Sequence, residues 1–187
     1  GSVRASLLGK KPQDLDITTN AEPTAIMELF QTYRVITTGL KHGTVTVLIG
    51  SQPVEITTYR LDGPYSDNRH PDQVQFTKSL QDDLARRDFT MNALAYNETA
   101  GIIDFYGGQE DITHHIIRCV GDAKKRFQED ALRILRSVRF AAQLGFKIDK
   151  NTLWAMASCK HLLKNIAYER INSELTKTHK VSLSILK

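Results

Sequence analysis

Cysteine is scarce in this chain. Its 187 residues hold 2, Cys119 and Cys159, far apart and in no C-x-x-C spacing. That argues against both a disulfide framework and a cysteine zinc site, and it fits a reducing compartment, cytoplasmic or organellar. No apolar run approaches the ~20 residues that a membrane-spanning helix requires, so no membrane is expected as a partner. The opening Gly1-Ser2-Val3-Arg4 holds no apolar signal-peptide core. It reads as a tag scar or as a chain that begins inside a longer protein. Internal repeats and low-complexity stretches are absent. Neither sign of charge dominates: Lys plus Arg is 25, Asp plus Glu is 21, and the net charge is +4. Such a balance permits a polyanionic partner without requiring one. What is present is ordinary for a globular protein, with 41% hydrophobic and 25% charged residues, which excludes disorder and collagen-like classes. The length suits one domain with a substantial core, or a small domain with an appended layer. Nothing in the sequence sets the oligomeric state.

The pattern changes near the middle. Up to about Arg118 it is mixed, with β-branched alternation and several glycines; beyond Gly121 it is almost purely helical. Val3 to Leu8 predicts a short helix stopped by Gly9. Leu15 and Ile17 alternate with Asp14 and Asp16, which predicts a strand with the two leucine-type residues inward and both carboxylates outward. Asn20 is the expected cap of a helix with Pro23 in its first turn, running to Phe30. Strands are expected over Val35 to Thr38, Thr44 to Ile49 and Val54 to Tyr59, the last two forming a hairpin around Gly50-Ser51-Gln52-Pro53. Leu61 to Gln75 reads as a loop. Ser79 to Arg86 and Asp88 to Tyr96 look helical, and Ile102 to Phe105 reads as a strand. One long helix is expected from Asp122 to Leu144, with Phe127, Ala131, Leu135, Val138 and Ala142 on its apolar face. Further helices follow over Asp149 to Cys159 and Glu169 to Lys177. The fold class is α+β, a sheet domain followed by a helical layer.

Three clusters carry possible chemistry. Asp14-Leu15-Asp16 puts two like charges on one strand face, an arrangement that Mg²⁺ suits because it takes carboxylates together with substrate phosphates. A polar strand face is the plainer reading. Glu55 joins the pair as a third carboxylate if its strand lies beside theirs. Arg86-Arg87-Asp88 places two guanidinium groups before an expected helix start, where phosphate is favoured; alternatively Asp88 is only a cap and the arginines are solvated. Asp130 and Arg133, three apart on the expected long helix, form an intrahelical ion pair on the plain reading. On the functional one, Asp accepts and Arg donates. Cytosine and adenine both present an amine beside a bare ring nitrogen, so the pair accepts C and A and rejects G and U.

Together these segments resemble the bacterial-type (class II) tRNA nucleotidyltransferases, the CCA-adding enzymes, and their poly(A) polymerase relatives. The stretches that carry the resemblance are GSVRASLLGKKPQDLDITT, GLKHGTV, VEITTYRLDGPYSDNRHPDQV, RRDFTMNA, DFYGG, EDALRILRSVRFAAQLGF and ERINSEL, in family order from Gly1 to about Lys177. The resemblance implies a nucleotidyltransferase head of the DNA polymerase β type over residues 1–118, a mixed, mainly antiparallel sheet with helices, and an all-helical neck over 119–187. It implies two Mg²⁺ ions on Asp14 and Asp16, with Glu55 as the third carboxylate. Nucleotide recognition falls to Gly1, Arg4, Arg86, Arg87, Asp88 and Asn92 in the head. In the neck it falls to Glu129, Asp130, Arg133, Arg136 and Arg139, with Arg170 and Glu174 bracing the template motif. Asp104, Gly107 and Gly108 match a segment linked to head–neck movement, and Asp62 to Val74 resembles the loop used in switching from C to A addition. The implied reaction is template-independent addition of C and A from CTP and ATP to a tRNA 3′ end.

Two departures stand against the family pattern. Val3-Arg4-Ala5 replaces the usual Val-Arg-Asp, which touches catalytic competence. A strand and helix that usually precede Gly1, and the body and tail that follow the neck and grip tRNA, are missing, so a truncated fragment is expected. Val181 to Lys187 matches nothing in the family. Two other functions remain open: a poly(A) polymerase using ATP only, and a non-catalytic nucleotide- or RNA-binding module.

Overall fold

Thr44-Val45-Thr46-Val47 alternates hydroxyl and apolar side chains, and on a strand that sends Val45 and Val47 to one face. Both are fully buried. They lie on β3 (Thr44–Ile49), which turns through Gly50-Ser51 into the antiparallel β4 (Gln52–Thr58). A computed structural model describes residues 1–12, 15–63, 65 and 73–185. The chain divides into two units, Gly1–Gly63 with Gln73–Arg86, and a second containing Arg87–Lys187.

In the first unit, α1 (Ser2–Leu7) precedes β1 (Asp16–Thr19), and α2 (Pro23–Leu29) precedes β2 (Arg34–Ile36). The sheet order is β1-β4-β3-β2, with β1 parallel to β4 and the other pairs antiparallel. Ile26 of α2 packs with Val45, Val47 and Ile56 to form the core. Two expectations fail here. The cap of α2 is Glu22 rather than Asn20, because Pro23 takes the first helical position with its fixed φ. Leu15 and Ile17 are 63% and 41% exposed: β1 is a short edge strand, and the core gathers over the central β3 and β4.

The expected loop from Leu61 to Gln75 is pinched at both ends into strands. β5 (Arg60–Asp62) and β6 (Val74–Phe76) pair antiparallel, with Asp62 opposite Val74. Its inner residues, Pro64 and 66–72, lie outside the described residues. α3 (Leu80–Ala85) follows within the helix expected there, capped by Ser79, whose hydroxyl oxygen accepts from Asp82 N–H at 3.2 Å.

The second unit begins with a larger correction. The helix expected over Asp88 to Tyr96 is a single 3₁₀ turn, Thr90–Asn92, followed by β7 (Leu94–Asn97). The backbone of 88–90 is satisfied elsewhere: Thr90 N–H donates to the Arg118 carbonyl at 2.9 Å, Val120 N–H donates to the Asp88 carbonyl at 3.1 Å, and Phe89 bridges Cys119. Long-range partners take the groups that a helix would have used locally. β7 pairs antiparallel with β8 (Gly101–Asp104).

α4 (Gly108–Thr113), β9 (Ile116–Ile117) and its parallel partner β10 (Lys147–Ile148) were not expected from the sequence. Gly107 opens α4 in the left-handed region, with φ +73. The Asp104 carboxylate accepts N–H groups from Tyr106, Gly108 and Gln109. Burial alone raises its pKa, but these backbone donors bring it below the ordinary value. Gly108 lies against the Thr90 turn so closely that a Cβ would sit 2.2 Å from the Thr90 carbonyl oxygen.

The long helix expected over Asp122 to Leu144 is two helices, α5 (Ala123–Glu129) and α6 (Leu132–Leu144). Asp130 between them is extended, with φ −140 and ψ 102. The helical phase restarts after this break. Phe127 and Ala131 are buried as expected, but Val138 is 44% exposed and Leu132, Ile134 and Phe140 take the inner face. α7 (Lys150–Cys159) and α8 (Tyr168–Ile185) complete the unit.

Gly108→Ala is expected to lower the unfolding free energy by about 1–3 kcal/mol from forced overpacking, read as a lower urea midpoint. An unchanged midpoint would show that α4 can shift off the Thr90 turn without cost.

Candidate active-site residues in each unit

Strand pairing decides where the first unit's carboxylates lie. Parallel register sets Asp16 of β1 opposite Glu55 of β4, so the two share one sheet face and both are exposed. The opposite face, carrying Ile56, is the one against α2. An exposed, all-oxygen donor set suits a hard divalent cation. Asp14 lies outside the described residues, and among the described residues no group of three His, Cys, Asp or Glu side chains is close enough to hold a metal. Gly1 stands at the N-cap of α1, and Arg4 is half-buried on that helix, next to Ala5.

Arg86 is tied into the first unit. Its guanidinium donates to Asp83 Oδ1 through Nε at 3.0 Å and Nη2 at 2.8 Å, and lies 3.7 Å from Asp62. Asp83 is fully buried and also accepts from Arg60 N–H at 3.3 Å. Arg60 in turn bonds Asp62 at 3.0 Å and the His42 carbonyl. Burial first, then the neighbouring Arg86 charge, lowers the Arg60 pKa. Two buried or half-buried arginines and two acids therefore fasten α3 to the base of β5 and β6. Sequence reading singled out Arg86 and Asp62 but missed Arg60 and Asp83, which meet across 23 residues of chain.

In the second unit Arg87 is half-buried, and the turn after it is not the helix start that phosphate binding by a dipole would need. Asp88 is buried and fully used. Oδ1 accepts from Phe89 N–H at 2.8 Å and Asn92 Nδ2 at 2.9 Å; Oδ2 accepts from Arg136 Nε at 2.9 Å and Nη2 at 2.6 Å. Burial opposes its charge, but the Arg136 guanidinium, the Asn92 amide and the nearby Arg133 hold its pKa below the ordinary value. The same pair raises the pKa of Arg136 against its own burial. Asp88 thus joins the 88–92 turn to α6.

The α5–α6 break organises the remaining candidates. Asp130 and Arg133 do not pair with one another as an intrahelical ion pair. Asp130 Oδ1 caps α6 by accepting from Leu132 N–H at 3.0 Å, and Oδ2 accepts from Arg170 Nη2 of α8 at 3.0 Å. Arg133 Nη1 donates to Glu129 Oε2 at 2.9 Å and to the Arg126 carbonyl at 3.2 Å. Glu129 also accepts from Arg126 Nη2. Arg126 was missed, although its spacing three before Glu129 is legible as a helical pair. Arg139 is buried, donates to Glu174 on α8 and to Gln143 at 2.8 Å, and sits 4.0 Å over the Phe140 ring. So Arg170 and Glu174 do brace the segment that carries Asp130 and Arg139.

Residues 1–118 match the family model described as the poly A polymerase head domain. The chain belongs to the poly(A) polymerase head-domain family. A second model of this group, described as the probable RNA and SrmB-binding site of polymerase A, matches residues 145–178. Among curated members, CCA-adding enzymes of Lactobacillus helveticus and Enterococcus faecalis are each 50% identical over 177 residues, 95% of this chain and 44% and 43% of theirs. The chain thus spans less than half the length of these relatives. The Bacillus stearothermophilus CCA-adding enzyme in complex with CTP superposes with a TM-score of 0.85 at 44% identity, covering 95% of this chain and 42% of that one. The Thermotoga maritima CCA-adding enzyme complexed with tRNA gives 0.78 at 26% identity, covering 95% and 41%. The α+β fold is that of the head and neck regions of these family members.

Removing one member of a buried pair costs about 3–5 kcal/mol, and Asp88→Asn is expected to destabilise the chain in that direction. Asp88 has a folded pKa below its unfolded value near 3.9. Its contribution is therefore present above the unfolded value and is lost as pH falls through the folded one. The gap in unfolding free energy between native and Asp88→Asn chains should narrow as pH falls below about 5. A gap that does not move with pH would show that the ion pair contributes nothing.

Proposed function

We propose that this chain is the nucleotidyltransferase head and nucleotide-selecting neck of a CCA-adding enzyme, acting on CTP, ATP and a tRNA 3′ end. The observation that carries the reading is the bracing of Asp130 and Arg133 at the α5–α6 break, in a chain half identical to CCA-adding enzymes. The functional division falls at 118/119, with catalysis in residues 1–118 and base selection in 119–187.

Each residue has a part in this reading. Asp130 accepts from the exocyclic amine of cytosine or adenine, since a carboxylate bonded to Arg170 and Leu132 still has acceptor capacity. Arg133 donates to the adjoining ring nitrogen, oriented by Glu129. In this reading Gly1 and Arg4 in the first unit, and Arg87 in the second, each contribute a surface for sugar and triphosphate. Arg86, Asp88, Asn92, Arg136 and Arg139 position that surface, because each is engaged with a partner inside its own unit. Asp14 and Asp16, with Glu55 beside Asp16, would hold two Mg²⁺ ions. When bound, these neutralise triphosphate charge and make the 3′ hydroxyl a better nucleophile. The setting is the cytoplasm or an organelle; among the described residues no helix is long and apolar enough to cross a membrane.

A poly(A) polymerase using only ATP is the second reading, favoured by the description of the family model. Calorimetric titration of the chain with CTP, ATP, GTP and UTP in the presence of Mg²⁺ separates the two. CTP and ATP should bind, and GTP and UTP should not. Binding of ATP alone would replace CCA addition with the poly(A) reading, and silence toward all four would leave a non-catalytic module.

Two substitutions test the roles. Arg133→Ala should erode preference for CTP and ATP over GTP and UTP; buried hydrogen-bonded sites discriminate by up to ~10⁴. Unchanged preference would move base selection to other residues. Asp14→Ala combined with Asp16→Ala should remove the Mg²⁺ dependence of CTP binding while circular dichroism stays native. Retained Mg²⁺ dependence would sink the metal assignment.

A further inference from the structure

The single tryptophan of the chain stands in solvent. Trp154 lies mid-way along α7 and is 68% exposed. The helix is otherwise well seated, burying Thr152, Ala155, Met156 and Cys159 on its inner face. Large aromatic rings are among the most favourable groups to bury, so a ring left on the outer face of a packed helix calls for an explanation.

Its surroundings supply one. One turn before Trp154 on the same face is Lys150; Ser158 lies one turn after it, and His161 follows, all exposed. The Ser158 hydroxyl donates back to the Trp154 carbonyl at 3.0 Å, and His161 Nδ1 lies 3.1 Å from the Ser158 carbonyl. Residues 147–164 hold four lysines, Lys147, Lys150, Lys160 and Lys164, all exposed, and one carboxylate, Asp149. That carboxylate is already matched: Oδ1 accepts from Arg118 Nη1 at 3.0 Å, and Oδ2 caps α7 through the N–H groups of Asn151 and Thr152. The neighbouring α5 adds exposed Lys124 and Lys125.

We propose that Trp154 is a stacking platform for an unpaired base of RNA, with Lys150, Lys160 and Lys164 facing its phosphates. An aromatic ring among cations is how proteins hold single strands without reading their sequence, because every base offers a π face and every linkage a charge. A duplex keeps its bases stacked on one another and offers no free face. A protein partner would need a wider apolar patch, and beside Trp154 the exposed large apolar residue on α7 is Leu153 alone. The similarity of 145–178 to a probable RNA-binding site points the same way independently. The inference extends the tRNA reading above by naming where the unpaired strand lies.

Because Trp154 is the sole tryptophan, its own fluorescence reports the contact. Titrating the chain with an unstructured RNA of ~12 nucleotides, within the range of known single-strand sites, should quench that emission. Followed instead by anisotropy of labelled RNA, Trp154→Ala should weaken binding about tenfold, while Trp154→Phe, which keeps a ring, should lose much less. Lys150→Gln should lower the slope of log affinity against log salt by about 0.7. Calorimetric CTP binding should be the same in Trp154→Ala as in the native chain, which separates failure here from failure of the nucleotide site. RNA binding without quenching, equal affinity for Trp154→Ala, or no RNA binding beside intact CTP binding would each overturn the proposal. Loss of self-association in Trp154→Ala with RNA affinity unchanged would likewise overturn it, giving the face to a protein contact.

Discussion

The carboxylate of Asp130 does three things at one point in the second unit. Its residue leaves helical geometry and so ends α5; its Oδ1 caps the first turn of α6; its Oδ2 holds Arg170 and with it α8. Without that local exchange, α5 and α6 would continue as one helix. The break also explains why the buried face of α6 is led by Leu132, Ile134 and Phe140 rather than by positions counted from Phe127.

Around this point the unit is held by paired charges whose cost of burial is matched partner by partner. Asp88 faces Arg136, Arg139 faces Glu174, and Glu129 lies between Arg126 and Arg133. Taking such groups out of water is unfavourable unless geometry and further hydrogen bonds are good. Here Asn92, the Phe89 amide and Gln143 complete the sets. The result is a set of guanidinium groups held in fixed positions by their carboxylate partners. Cys119, buried in the same region, has its thiol pushed up to about 12, chiefly by burial. It is a packing residue and not a nucleophile.

Much of this was legible without coordinates. The β3–β4 hairpin follows from its alternation, and the adjacency of Asp16 and Glu55 from a parallel pairing that the sequence could pose only as a condition. The family followed from ordered motifs. The 88–97 segment was not legible: its helical look reflects local propensity, while Arg118 and Val120 claim its backbone. Nor were the strands at Arg60–Asp62 and Val74–Phe76, which are three residues each and too short for a period to register.

Composition, periodicity and motif order by themselves determined an α+β head with a helical continuation and singled out the candidate site residues. These properties are written in spacing along the chain. Only the tertiary structure decided which partner most of the charged groups take: Arg170 for Asp130, Glu129 for Arg133, Arg136 for Asp88. Several of these contacts span dozens of residues. The nearer Glu129–Arg133 pair lies across the α5–α6 break. Pairing of charges is a matter of distance in space, and spacing along the chain fixes that distance only within an unbroken helix or strand.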